Sequence, residues 1–153
     1  MEPNKGFSLI ELMIVMAILA VAATFTVPAY LSWRDDSKAK GAASSMRADF
    51  ERARMHAIRE NANVRVAFGT DSYTIHTDLN SDNALDADED VIAQTTLPPG
   101  VTLTSTFGGD DMSFSSRGIP AAGLSDAGTV TMRSPGGSEY AVIVSRFGRI
   151  RTE

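Results

Sequence analysis

Apolar residues fill the first part of the chain almost without interruption. From Phe7 to Leu31 the only charged side chain is Glu11, and the apolar positions lie on every side of a helical projection. About 20 such residues, at a rise of about 1.5 Å each, cross the roughly 30 Å hydrocarbon core of a bilayer. The pattern therefore predicts a membrane-spanning helix over residues 7–31.

The spacing of apolar positions changes to three and four residues after Trp33. Charged residues occupy the other faces of this segment, and the recurring positions are mostly small: Ala39, Ala42, Ala43, Met46, Phe50, Ala53, Ala57 and Ile58. This spacing predicts an amphipathic helix over residues 32–62. Its narrow stripe of small residues would allow a sheet to pack close to it.

A period of two begins at Val64 and predicts strands. Val64–Phe68 and Ser72–Thr77 flank a short turn that contains Gly69, which predicts a hairpin. The later strand candidates are Val91–Thr96, Val101–Thr106, Met112–Ser115, Thr129–Arg133 and Tyr140–Ser145. A long helix followed by many short strands indicates an α+β fold, with an antiparallel β-sheet or small β-sandwich head over residues 63–153 packed on the helix.

The net charge of −5 is distributed unevenly along the chain. Residues 69–111 carry nine acids and no base, whereas residues 112–153 carry five arginines against three acids. The absence of cysteine excludes a disulfide framework, Cys-ligated zinc and a thiol nucleophile. The sequence has no nucleophile elbow, P-loop or Rossmann fingerprint, so we do not expect an enzyme.

Glu11 is the most informative residue of the apolar segment. A carboxylate in a membrane helix costs about 2.5–3.5 kcal/mol and therefore needs a partner. Cleavage after Gly6 would supply one, the new ammonium of Phe7, in the same chain or in an adjacent subunit. A secretory signal peptide and a simple uncleaved anchor are the alternatives, but the early interruption by Glu11 and the single basic residue Lys5 are atypical of the former.

The run Lys5-Gly6-Phe7-Ser8-Leu9-Ile10-Glu11 resembles the class III leader of type IV pilins and type II secretion pseudopilins. The resemblance implies that residues 1–6 form a prepilin leader, which a prepilin peptidase removes after Gly6 before it methylates Phe7. It also implies that Glu11 and Pro28 serve assembly with other pilins, with Pro28 kinking or locally unwinding the helix. The expected location is the inner membrane, single-pass with a periplasmic head, and then a periplasmic or extracellular filament.

Later motifs resemble the GspH/FimT family of pseudopilins. They are Phe114–Gly118, Pro135–Gly137 and Val142–Arg151. Major pilins typically carry a cysteine-closed loop near the C-terminus, and its absence favours a minor subunit of a type IV pilus or type II secretion pseudopilus, acting in priming or at the tip.

The acidic segment Asp78–Glu89 has the spacing of an EF-hand-type calcium loop. The candidate Ca²⁺ ligands are Asp78, Asn80, Asp82, Ala84, Asp86 and Glu89. Asn83 stands where such a loop normally uses glycine. The alternative is an acidic hairpin loop that the charges keep soluble.

Three arginines near the C-terminus form a second candidate site. Arg149 and Arg151 alternate with Ile150, so on a strand both guanidinium groups face one side. Together with Arg146 they form a minimal phosphate-binding patch. Gly-Arg-x-Arg resembles the motif with which FimT-type minor pilins contact DNA, which implies DNA as an additional partner. A terminal edge strand that carries charge against aggregation is the alternative.

Overall fold

A computed structural model describes residues 6–82, 84–108, 111–120 and 127–153. The chain forms two compact units, one up to Arg34 and one from Asp35 onward. The helix α1 comprises Leu9–Glu60. It continues through Pro28, so local unwinding, one of the two effects expected there, is not observed. Proline removes one backbone donor, and the neighbouring hydrogen bonds are sufficient to keep the turn.

Asn61 ends the helix close to the predicted boundary. Its φ of 51° is left-handed, and the amide of Ala62 donates to the carbonyl of Ala57 at 3.2 Å. This is the long hydrogen bond of a Schellman cap, with asparagine in the position that glycine usually occupies.

Eight strands in two antiparallel sheets follow the helix. The strands are β1 Asn63–Phe68, β2 Ser72–Asp78, β3 Val91–Thr96, β4 Thr102–Ser105, β5 Asp111–Phe114, β6 Gly128–Arg133, β7 Glu139–Val144 and β8 Ile150–Thr152. The first sheet has the order β3-β2-β1-β5, and the second has the order β4-β6-β7-β8. The α+β prediction is confirmed.

One core joins α1 to both sheets. The helix contributes mainly small residues, which let the sheets approach closely, and each sheet contributes the inward positions of its strands. Phe50 is the largest buried helix residue, and its ring lies 6.2 Å from that of Phe68 and 6.4 Å from that of Phe114. The predicted apolar stripe is thus the buried face, except that Ile58 is half exposed.

Three turns share one backbone and one sequence pattern, Ser-x-x-Gly. In each, the glycine has a left-handed φ (Gly118 71°, Gly137 89°, Gly148 74°) and its amide donates to the serine carbonyl three residues earlier. The serine amide also donates to the residue after the glycine, at 2.9 Å in all three turns. Glycine is favoured at this position because only it enters the left-handed region without cost.

The face of the first sheet that points away from the helix is polar and also buried. Arg65 pairs across the strands with His76 on one side and Ser113 on the other, and its guanidinium forms an ion pair with Asp111. All four, and Asp78, are less than a tenth exposed. Both ring nitrogens of His76 and one carboxylate oxygen of Asp78 have no hydrogen-bond partner among the described residues. Buried polar groups are costly unless they are paired, and the ion pair gives Arg65 and Asp111 a partner on this face.

Candidate assembly and binding sites

The start of α1 carries the predicted processing site. Gly6, Phe7 and Ser8 precede the helix, whereas residues 1–5 of the predicted leader lie outside the described residues. The amide of Glu11 donates to the hydroxyl of Ser8 at 3.3 Å, and the amide of Leu12 donates to the Ser8 carbonyl at 3.1 Å. Ser8 is therefore the N-cap, and Glu11 occupies the third helical position of a Ser-x-x-Glu capping sequence.

The position of Glu11 in the first turn gives its carboxylate a second effect besides its expected partnership with an ammonium. A carboxylate in the first turn interacts favourably with the positive end of the helix dipole. The capping role of Ser8 was not predicted, although the Ser-x-x-Glu spacing was the signal for it. Cleavage after Gly6 would leave Phe7 directly before the N-cap, so the new ammonium would start one turn from Glu11.

The apolar segment has no buried side chain within its own chain. Every described residue from Gly6 to Arg34 is exposed, and the segment is long and apolar enough to cross a membrane, with a mean hydropathy of 2.4 over 18 residues. The hydroxyls of Thr24 and Thr26 donate to carbonyls four residues earlier, at 3.0 and 2.9 Å. These polar groups are thus satisfied inside the helix, as a bilayer requires.

The acidic loop between β2 and β3 is closed by hydrogen bonds within itself. The side-chain amide of Asn80 donates to Asp82 at 3.0 Å and to Asp86 at 2.9 Å. The backbone amide of Ala84 donates to Asp82 at 2.8 Å. These contacts bring together four of the predicted calcium ligands, while Asn83 lies outside the described residues. Within the described part of the loop, no three acidic groups converge as metal ligands.

Glu89 and Asp78 lie at the two ends of this loop and are both buried. Glu89 accepts hydrogen bonds from the amide of Leu79 at 2.8 Å and from the amide of Asp86 at 3.1 Å, so it links the two ends. Oxygen ligands at this spacing suit Ca²⁺, but binding would require the Asn80 amide to release the two carboxylates. Calcium at this loop stays a prediction.

The C-terminal arginines lie on the last turn and the last strand. Ile150 is 5% exposed and packs in the core, whereas Arg146, Arg149 and Arg151 are exposed. Arg149 and Arg151 therefore leave the sheet on the side opposite the core, as predicted from their alternation. Arg151 pairs with Glu153 at 3.1 Å, a contact between two exposed side chains that contributes little.

Comparisons with known proteins cover nearly the whole chain. Residues 42–148 match the family described as type II transport protein GspH, and residues 1–27 match the prokaryotic N-terminal methylation motif. The chain is 30% identical to the pilin-like protein PilA1 of Thermus thermophilus over 98% of its own length and 99% of that protein.

Two solved structures have a similar fold at low sequence identity. One is the type IV minor pilin FimU of Pseudomonas aeruginosa, with a TM-score of 0.63, 15% identity and coverage of 79% of this chain and 92% of that one. The other is the minor pseudopilin EpsH of the Vibrio cholerae type 2 secretion system, with a TM-score of 0.60, 20% identity and coverage of 76% and 96%.

Proposed function

The chain belongs to the GspH family of pilin-like proteins, and we propose that this minor subunit primes a type IV pilus or a type II secretion pseudopilus, or forms its tip. The observation that carries the proposal is the apolar segment of α1, which is exposed along its whole length and holds a single carboxylate, Glu11. Such a surface is stable only in lipid or against other apolar helices. It would hold the chain in the inner membrane, head in the periplasm, until other pilins take the place of the lipid.

Processing by a prepilin peptidase is the first step of this role. A Cβ added at Gly6 would meet nothing within 4 Å, so a substitution there does not disturb the fold. The full chain would be produced with a prepilin peptidase, and its N-terminus would be read by mass spectrometry. We expect wild type to begin at methylated Phe7 and Gly6→Val to keep the leader, with Leu12→Ala processed as a control. An uncut wild-type chain would contradict the proposal.

The charge of Glu11 can be tested separately from the N-cap that Ser8 provides. Ser8→Ala removes the N-cap, at a cost of about 1 kcal/mol, but keeps the carboxylate. Glu11→Gln keeps the shape but removes the charge that an ammonium of a neighbouring subunit would contact. We expect cross-linking to other pilins in the membrane to persist in Ser8→Ala and to be lost in Glu11→Gln. Equal cross-linking by Glu11→Gln and wild type would exclude charge pairing as the assembly signal.

We propose DNA capture as a second function, because the three C-terminal arginines extend from a surface whose other side is anchored by Ile150. Guanidinium groups bind phosphate oxygens well, and such binding weakens with salt. Arg149→Ala combined with Arg151→Ala should abolish a gel shift by the full chain in non-ionic detergent. The control pair Arg52→Ala and Arg59→Ala removes the same charge from exposed helix positions and should leave the shift unchanged. An unchanged shift in the first pair would refute the assignment.

A further inference from the structure

Two of the Ser-x-x-Gly turns, 30 residues apart in the chain, meet at the C-terminal part of α1. A Cβ at Gly148 would overlap the carbonyl oxygen of Gly118, so the two glycines pack directly against each other. Arg54 donates from Nε to that same carbonyl at 2.9 Å. The space at Gly118 is also limited by Ile58, whose Cδ1 would be 2.5 Å from an added Cβ. The helix thus holds both turns in a fixed relation.

The tips of these turns present arginines and one aromatic ring side by side. Arg117 precedes Gly118, while Phe147 precedes Gly148 and Arg149 follows it, and all three side chains are exposed. Because the two glycines are in contact, these side chains leave the backbone from neighbouring points. Phe147 is 77% exposed, more than any other large hydrophobic residue described in residues 35–153.

Within the part of the chain that the structure describes, the arginines at the two turn tips have no carboxylate partner. In the described residues, Arg117, Arg146 and Arg149 have no carboxylate within 4.0 Å. Among the other arginines of residues 35–153, Arg47 likewise has no such partner there, whereas six do, and these are Arg52, Arg54, Arg59, Arg65, Arg133 and Arg151. Exposed arginines beside an exposed aromatic ring match the recognition of single-stranded nucleic acid, in which arginines contact the backbone and an aromatic ring stacks on a base.

We propose that the paired turns bind single-stranded nucleic acid, with Phe147 stacking on a base and with Arg117 joining Arg146 and Arg149 on the phosphates. The inference rests on the proposed DNA capture and extends it in two ways. It adds a second turn to the C-terminal arginines, and it specifies the form of the ligand. A duplex keeps its base faces stacked on one another, so only an unpaired strand can offer a face to Phe147.

The test compares an oligothymidylate of about 20 nucleotides, longer than one typical binding site, with a duplex of the same length. Fluorescence polarisation would be measured with the full chain in non-ionic detergent at two salt concentrations. We expect wild type to prefer the single strand. Phe147→Ala should weaken single-strand binding roughly tenfold and leave duplex binding unchanged. Phe147→Trp keeps an aromatic ring and should therefore keep the preference for the single strand. Met55→Ala, at another exposed apolar residue, is the matched control.

Arg117→Ala tests the second turn. It should weaken binding to both forms of DNA and lower the salt dependence of binding by about one phosphate contact. The control Arg59→Ala should change neither the affinity nor its salt dependence. If Arg117→Ala binds DNA with wild-type affinity, the site is confined to the C-terminal arginines.

The outcomes separate this inference from the function on which it rests. If Phe147→Ala loses the same affinity for single-stranded and duplex DNA, or loses none, stacking is overturned while DNA capture stands. Failure of wild type to bind either form would overturn DNA capture itself. Binding to vesicles with anionic lipid, without binding to either oligonucleotide, would identify the surface as a membrane contact instead.

Discussion

The hydroxyl of Tyr73 donates a hydrogen bond of 2.7 Å to the carboxylate of Asp49 and thereby joins the first sheet to the helix. The Tyr73 side chain is almost fully buried. Burial is the main cause that raises the pKa of Tyr73 far above its ordinary value, and Asp49 adds to the effect. Asp49 also accepts a hydrogen bond from Arg52 at 3.1 Å, so the contact joins a sheet residue to an ion pair on the helix surface.

Alkaline pH should therefore destabilise the head through Tyr73. Since the folded-state pKa is raised, the neutral hydroxyl stabilises the fold fully below about pH 10, the usual tyrosine value, and this contribution is lost as the pH rises further. We expect Tyr73→Phe to lose about 1 kcal/mol at pH 7 and to decline less steeply above pH 10. Urea unfolding followed by circular dichroism from pH 7 to 11 would measure both effects. An identical alkaline slope in the variant would contradict the assignment.

Replacing one partner of the Arg65–Asp111 ion pair should destabilise the fold much more than replacing both. Arg65→Met leaves a buried carboxylate without a partner and should cost about 3–5 kcal/mol of unfolding free energy. The double variant Arg65→Met with Asp111→Leu should regain most of this loss because no buried charge remains. Arg151→Met, which removes an exposed pair, should cost at most about 1 kcal/mol. Urea unfolding decides the matter, and a double variant as unstable as the single one would show that the pair is not the main contribution.

Substitution of two glycines should separate backbone strain from packing. Gly137→Ala meets no atom within 4 Å and should cost only the strain of a left-handed φ, about 1–2 kcal/mol. Gly148→Ala has the same strain and also overlaps Gly118, so its loss of stability should be clearly larger. Thermal unfolding of both variants would test this. Similar losses would mean that the two turns are not in firm contact.

Calcium binding to the acidic loop is directly testable. Asp82→Ala with Asp86→Ala removes two of the predicted ligands, whereas Asp88→Ala with Asp90→Ala removes the same charge at positions outside the ligand spacing. We expect calcium to raise the unfolding temperature of wild type and of the second pair but not of the first. Calorimetry that shows no heat for wild type with millimolar calcium would end this prediction.

The sequence predicted the helix end, the hairpin and most strand positions because these depend on local signals. Val91–Thr96 was predicted to the residue, since turns bound it on both sides. The sequence did not predict that Arg65 would be buried. Its alternation with Val64 and Val66 places it on the second face of the sheet, but whether other segments cover that face is a tertiary property.

The candidate sites, like the fold, were predictable from the sequence only where local signals determine them. Exposure of Arg149 and Arg151 followed from the alternation around Ile150. The contact between Gly118 and Gly148 had no local signal, because it joins residues far apart in the chain. This contact also places Phe147 beside Arg117, so their proximity had no local signal either.

The shared backbone of the three Ser-x-x-Gly turns makes their two middle residues interchangeable. Serine and glycine supply the conformation, so Pro135-Gly136 in one turn and Arg146-Phe147 in another are accommodated by the same hydrogen bonds. Substitutions at these two positions can therefore change what such a turn presents while the fold stays constant. Transplanting Arg146-Phe147 into the turn at Ser134 would be a rational way to move a recognition element to another part of the head.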